Sequence, residues 1–336
     1  MIVGRIRRTR KDGPMENGKI RETDAKQLHE GRRRSYETVD AYRRSFIDPS
    51  TGLIAGKYTE HRACPVCEAT SDRRIFVKNG GTYVKCGACG MIYLNPVFKD
   101  DALRTYYENN TSAQATAHAS ESEFYRSIYS RGLSSIGKFV RAGSILDIGC
   151  SSGFFLDIAK EKGWRTIGIE LNRAEFLIAC GKGHDVRNTA IEETRFGAKL
   201  SAIAMWDVLE HIKSGGRYLR NLKSLLDTDG VVFLQIPSAS SLAARALQER
   251  CNMFDGVEHV NLYTPGTISV LCEKAGYDIL HFETVIDELQ VLKKYLDYED
   301  PYFGDLHGAT DLAFLTGDLI HEFRLGYKMQ IVIRPR

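Results

Sequence analysis

Three groups of residues in this sequence have the types and spacing that chemistry needs. The first is Asp147-Ile148-Gly149-Cys150-Ser151-Ser152-Gly153, where an apolar run ends in a glycine-punctuated turn that opens a helix. Glycines in such a turn let the backbone approach a ligand closely and accept positive φ. Glu170 stands 23 residues after Asp147, at the end of the next apolar run. A carboxylate there accepts hydrogen bonds from ribose hydroxyls, so the pair points to a cofactor containing a nucleoside. The second group is Cys64-x2-Cys67-x18-Cys86-x2-Cys89. Its two thiolate pairs can close on one tetrahedral zinc ion, and four sulfur ligands leave no open position, which makes the expected metal structural. The third group sets histidines beside carboxylates, in Glu210-His211 and Glu258-His259. Imidazole titrates near neutral pH and is the usual side chain for moving a proton. His259 is the leading candidate base, with Glu258 orienting it or acting directly, and His211 is the second candidate; a loop hydrogen bond is the competing use of each ring.

These groups need elements that hold them, and from residue 142 onward strands and helices alternate, the pattern of a parallel sheet covered on both faces. Strands are expected at Ser144–Ile148, Thr166–Leu171, near Val186, at Ser201–Trp206, Val231–Ile236, Asp278–Val285 and Lys328–Ile333. Phe154–Lys162 reads as a helix stopped by Gly163, and Asn172, with Glu175 three residues on, resembles a capping box. The fold class is therefore α/β: a Rossmann-like, seven-stranded, mostly parallel sheet, preceded by a small zinc ribbon and a basic N-terminal extension. The boundaries are an extension of low order at 1–59, the ribbon at 60–96, a helical linker or lid at 97–141 with a polar loop at 109–122, and the catalytic domain at 142–336 with a helical insertion at 286–324.

Composition limits the functional classes. With 336 residues, 43% hydrophobic and 26% charged, the chain has the make-up of a folded globular protein. No stretch reaches the ~18–20 apolar residues of a bilayer span, and no apolar leader follows the N-terminus, so a cytoplasmic location without membrane contact is expected. In that compartment eight cysteines serve as thiols or metal ligands rather than as a disulfide framework. Residues 1–44 carry thirteen Lys/Arg against seven acids; this +6, set against +3 for the whole chain, leaves the remainder at −3. A basic arm on a mildly acidic body does not favour nucleic acid as the main partner.

A dinucleotide fingerprint requires G-x-G-x-x-G/A, and the register here gives Gly149, Ser151 and Phe154, which disfavours NAD. A sulfonium cofactor has no pyrophosphate to cradle and needs fewer glycines, while Asp147 could face its ammonium group. At these residues the chain resembles the class I S-adenosylmethionine-dependent methyltransferases: Leu146–Gly153 is similar to their first motif, Glu170 to the acid ending their second strand, and Trp206–Ile212 to the segment after their fourth. The resemblance implies S-adenosylmethionine as cofactor, held by Asp147, Gly149, Cys150, Gly153, Glu170, Leu171, Trp206 and Asp207. It further implies adenine contacts near Ile191-Glu192 and Met205-Trp206, although Trp206 suits core packing equally well.

A zinc ribbon ahead of such a domain resembles the arrangement of sugar C-methyltransferases acting on nucleotide-linked keto-sugars. Cys86–Pro96 is similar to their second knuckle, and Glu258-His259-Val260-Asn261-Leu262-Tyr263 to their active-site Glu-His-x-x-Tyr/Phe stretch. Those enzymes carry a further C-terminal domain, whereas this sequence runs 60 residues past Gly276. The expected activity is methyl transfer to a small-molecule acceptor, such as a sugar or another biosynthetic intermediate. The alternatives are an RNA or protein methyltransferase that docks through ribbon and arm, and a cofactor-binding protein without catalysis. Acceptor atom and oligomeric state are not legible.

Overall fold

A computed structural model describes residues 42–109, 122–296 and 315–336. The basic run of residues 1–41, most of the 109–122 loop and residues 297–314 of the insertion lie outside the described residues.

Residues 42–59, expected to be of low order, are folded. Ile47–Asp48 (β1) and Leu53–Ile54 (β2) form a hairpin, and Thr59–Glu60 (β3) pairs with Val97–Phe98. The reason is an apolar nest that the charge-rich sequence conceals: Phe46 contacts Tyr58 and Phe98 edge-on, and packs with Ala102, Tyr106 and Val257. Asp72–Lys78 (β4), Gly81–Cys86 (β5) and Ile92–Leu94 (β6) make the antiparallel ribbon, followed by Val97–Phe98 (β7). Two helices then run over Asp100–Asn109 (α1) and Ser122–Gly137 (α2).

The second half is the expected alternation. Its strands are Ser144–Ile148 (β8), Arg165–Ile169 (β9), Asp185–Arg187 (β10), Leu200–Trp206 (β11) and Leu226–Pro237 (β12). The intervening helices described are Phe154–Glu161 (α3), Arg173–Gly181 (α4) and Gly215–Leu222 (α5). After Leu242–Leu247 (α6) come Asn261–Leu262 (β13), Pro265–Lys274 (α7), Tyr277–Val285 (β14), Leu289–Leu296 (α8), Gly317–Glu322 (α9) and Lys328–Pro335 (β15). The sheet order is β10-β9-β8-β11-β12-β15-β14. All neighbours are parallel except β15, which runs antiparallel between β12 and β14. The chain travels outward from β8 to one edge and then crosses to β11, so the switch point lies between β8 and β11, where open α/β sheets bind ligands at the carboxyl ends of their strands. Asn172 caps α4 by accepting from the backbone N–H groups of Ala174 and Glu175. The Glu175 carboxylate, which a capping box would turn back to Asn172, instead accepts from the Ser151 hydroxyl.

The ribbon is built into the sheet domain. Asn261–Leu262, far along the chain, adds a strand to its edge through β6, giving the order β13-β6-β5-β4. Cys64, Val84, Met91 and Tyr93 share one buried cluster with Leu209, Ile236 and Tyr263. At the seam lies Arg62, whose guanidinium donates to the carbonyls of Leu94 (3.2 Å), Lys213 (3.0 Å) and Val260 (2.6 Å) and to Asn261 Oδ1 (2.9 Å). Burial lowers its pKa to about 10, so it stays charged at neutral pH while held by neutral oxygens. Removing it would leave several buried acceptors unsatisfied, each costing about 1–3 kcal/mol. The expected outcome for Arg62→Met is a loss of at least ~3 kcal/mol, read as a lower urea midpoint, whereas Arg126→Met, which breaks an exposed ion pair with Glu161, should shift the midpoint little.

Candidate active site

Strand β8 ends in Gly149 at φ +75°, and Ser151 and Gly153 also lie at positive φ. The Gly149 and Cys150 N–H groups donate to the Ile169 carbonyl at 2.8 and 3.0 Å, binding the turn to the end of β9. Glu170, the next residue, completes the loop: its carboxylate accepts from Ser151 N at 2.8 Å and Asn172 N at 2.7 Å. Burial raises its pKa, and those two N–H donors oppose the rise. Asp147 is 1% exposed, and among the described residues its Oδ1 has no hydrogen-bond partner. Burial, with Glu170 nearby, drives its pKa well up. A buried acid in this condition lacks a cation or donor.

The structure distributes the remaining expected cofactor contacts unevenly. Leu171 is 67% exposed beside Glu170. Cys150 is buried against Gly168. Trp206 lies in the core, its ring 4.5 Å from those of Tyr129 and Phe233 and 5.1 Å from Phe155. Cys150, in the turn, and Trp206, at the end of β11, two residues expected to contact the cofactor, both pack their side chains into the same apolar cluster. Asp207 follows at φ +55°, half-buried, ion-paired with Lys328 at the start of β15 and accepting from Gln235.

The two Glu-His pairs, 48 residues apart in the chain, meet. Ligand atoms of Glu210, His211 and His259 lie within 4.8 Å of one another, and the two imidazoles stand edge to face with centroids 4.9 Å apart. Glu210 is fully buried, and neither carboxylate oxygen has a partner among the described residues. Burial, then Asp207, raises its pKa to about 8. His211 is pushed down to about 4 by burial and by His259. For His259 burial opposes the charged ring, but Asp255 and Glu210 outweigh it and the pKa is raised. Glu258 reaches about 7 through burial and Asp255, and bonds to the Tyr106 hydroxyl on α1.

Sequence reasoning missed the residues that hold this cluster. Asp255 Oδ1 accepts from the backbone N–H groups of Val257, Glu258 and His259, an Asx-type turn that the Asp255-Gly256 dipeptide could have signalled. His259 Nδ1 lies 2.7 Å from the Met253 carbonyl. Tyr83 of the ribbon donates to the His259 carbonyl and accepts from Gly256 N. Nothing in their spacing links Tyr83 or Arg62 to residues some 180 positions later.

The cysteines converge as expected. All four sulfurs lie within 4.8 Å of one another, with Cys64–Cys89 and Cys67–Cys86 at 3.5 Å. A regular tetrahedron around zinc, with bonds of about 2.3 Å, has edges of about 3.8 Å. The two knuckles are alike: Glu68 N donates to the Cys64 carbonyl and Gly90 N to the Cys86 carbonyl, each from a residue at positive φ.

Residues 121–282, just under half of the chain, match the family described as Methyltransferase domain. That span is similar to a methyltransferase domain. The chain is an enzyme, and the matched span contains the glycine turn, Glu170 and both Glu-His pairs. No curated protein matches it. Among solved structures, the chain is similar to a SAM-dependent methyltransferase from Archaeoglobus fulgidus, at 19% identity and TM-score 0.44, over 61% of this chain and 92% of that one. It is also similar to the plantazolicin methyltransferase BpumL in complex with a monoazolic desmethylPZN analog and SAH, at 15% identity and TM-score 0.47, over 70% and 94%. A third is a S-adenosylmethionine dependent methyltransferase from Mesorhizobium loti, at 15% identity and TM-score 0.41, over 61% and 96%. Likeness at this level says nothing of the acceptor.

The glycine turn tolerates little change at Gly149, where an added Cβ would lie 2.9 Å from Val208 Cγ2 on a positive-φ backbone. Gly149→Ala is expected to cost about 1–3 kcal/mol, measured by urea unfolding, while Gly163→Ala, strained in φ but open in space, should cost less.

Proposed function

We propose that this enzyme transfers the methyl group of S-adenosylmethionine to a small-molecule acceptor, and that Cys64, Cys67, Cys86 and Cys89 hold a structural zinc ion. The observation that carries the reading is the buried carboxyl of Asp147 beside the Gly149 turn: its Oδ1 has no hydrogen-bond partner among the described residues. It fits an ammonium group, and Glu170 on the adjacent strand offers further lone pairs to ribose hydroxyls. Gly149 and Gly153 carry no side chain at the two ends of the turn, and Leu171 offers an exposed apolar surface to a base. Asp147, the Gly149 turn and Glu170 would hold S-adenosylmethionine, which would supply an electrophilic methyl group there.

The protein's own work is to align the acceptor and, where the acceptor carries a proton, to take it. His259 and Glu258 are the groups for that step. His259 Nδ1–H donates to the Met253 carbonyl, which fixes the ring and leaves Nε2 as the free lone pair. His211 stands against the same ring and limits its movement. The four thiolates fit zinc by donor type, by mutual distance and by knuckle geometry.

Calorimetric titration should show binding of S-adenosylmethionine and none of NADH, with Glu170→Ala and Asp147→Asn each weakening it about tenfold or more. Preference for NADH would mean that the glycine turn holds a different cofactor and would sink the assignment. Elemental analysis is expected to give one zinc per chain. Because the ribbon shares its core with the sheet, stripping the metal with a chelator should lower the melting temperature of the whole protein; an unchanged melt with the metal gone would remove its structural role.

A further inference from the structure

The Glu210–His211–His259 cluster contains more than a base requires. Glu210 lies under the two imidazoles with 0% exposure, and among the described residues both its oxygens lack partners. Such a group is rare in a folded protein unless something absent from the chain satisfies it. Each histidine stands beside a backbone carbonyl: His259 Nδ1 is 2.7 Å from Met253 O, and the Glu258 carbonyl is next to the His211 ring. Metal-bound histidines are usually anchored this way, with one ring N–H on a carbonyl and the other nitrogen turned to the ion. Asp207, at the end of β11, adds a second carboxylate on the same side, with Oδ1 buried and unpartnered among the described residues and Oδ2 neutralised by Lys328.

We propose that Glu210, His211 and His259 bind a first-row divalent cation, separate from the cysteine site, with open positions that take oxygen atoms of the acceptor. Two imidazoles and one carboxylate, converging within 4.8 Å, are the donor set that such ions accept while leaving positions free. The histidines are only partly buried, whereas Glu210 is fully so, which places the open positions away from the protein floor. An acceptor with two adjacent oxygens, as vicinal hydroxyls or a hydroxyl beside a carbonyl, would occupy neighbouring positions. This rests on the methyl-transfer reading and refines it: with the cation bound, His259 Nε2 is a ligand, and Glu258 is the remaining proton acceptor of its pair.

The test uses the full-length protein with zinc already loaded. Mn2+ is the probe, because it prefers oxygen and nitrogen donors and competes poorly for thiolates. Electron paramagnetic resonance of free Mn2+ during a titration should reveal one bound equivalent per chain. Glu210→Gln and His211→Ala should each weaken it at least about tenfold, with thermal melts and S-adenosylmethionine titrations showing that both variants remain folded. His259→Ala, at a partly exposed site, gives an independent variant should Glu210→Gln fail to fold. No bound Mn2+, or an affinity unchanged in the variants that fold, would overturn the cation site. The methyl-transfer reading is judged separately, by binding of S-adenosylmethionine to the unaltered protein.

Discussion

The arrangement depends on a half-buried arginine. Arg62 belongs to the N-terminal half, yet its guanidinium ties together the carbonyls of Leu94 at the end of β6 and of Lys213 and Val260 in two loops. Lys213 follows His211 by two residues and Val260 follows His259 by one, so the same cation sets the separation of the two imidazoles. Tyr83 and the β13–β6 pairing reinforce the tie. A ribbon of this size has too little core to be rigid alone, and here it gains rigidity from the sheet domain while clamping the loop that carries His259.

The second organising feature is the concentration of acid at the carboxyl edge of the sheet. Asp147 closes β8 and Glu210 follows β11, both buried and both without a hydrogen-bond partner at one oxygen or more among the described residues. Desolvation of a carboxylate is costly unless it is paired or protonated, so the fold maintains two strained positions on either side of its switch point. The opposite ends of these strands show no such feature among the described residues. Stability elsewhere, in the large apolar layers on both faces of the sheet, sustains the strain here.

The alternation of strands and helices located all seven strands of the main sheet; the central strands are apolar over several residues because they are buried, while the edge strand β10 shows only Val186. The glycine turn and Glu170 were equally legible, since their chemistry is local to one βαβ unit. Trp206 and Cys150 were not resolved by pattern, because a residue at a strand end can turn to the cleft or to the core, and only neighbours such as Phe233 and Gly168 decide. The folding of residues 42–59 escaped notice because the partners of Phe46 lie at Phe98, Tyr106 and Val257, too far along the chain for any window to connect.

The sequence alone determined the fold class, the glycine turn and the four-cysteine set, each of which is written in residues close together in the chain and constrained by strand burial, backbone conformation or ligand geometry. Only the tertiary structure decided that Glu210, His211 and His259 form one site, that Asp255 and Met253 hold it, and that the ribbon is bound into the sheet domain through Arg62. Those contacts join segments up to some 200 residues apart, and packing, rather than any local preference of the chain, brings them together.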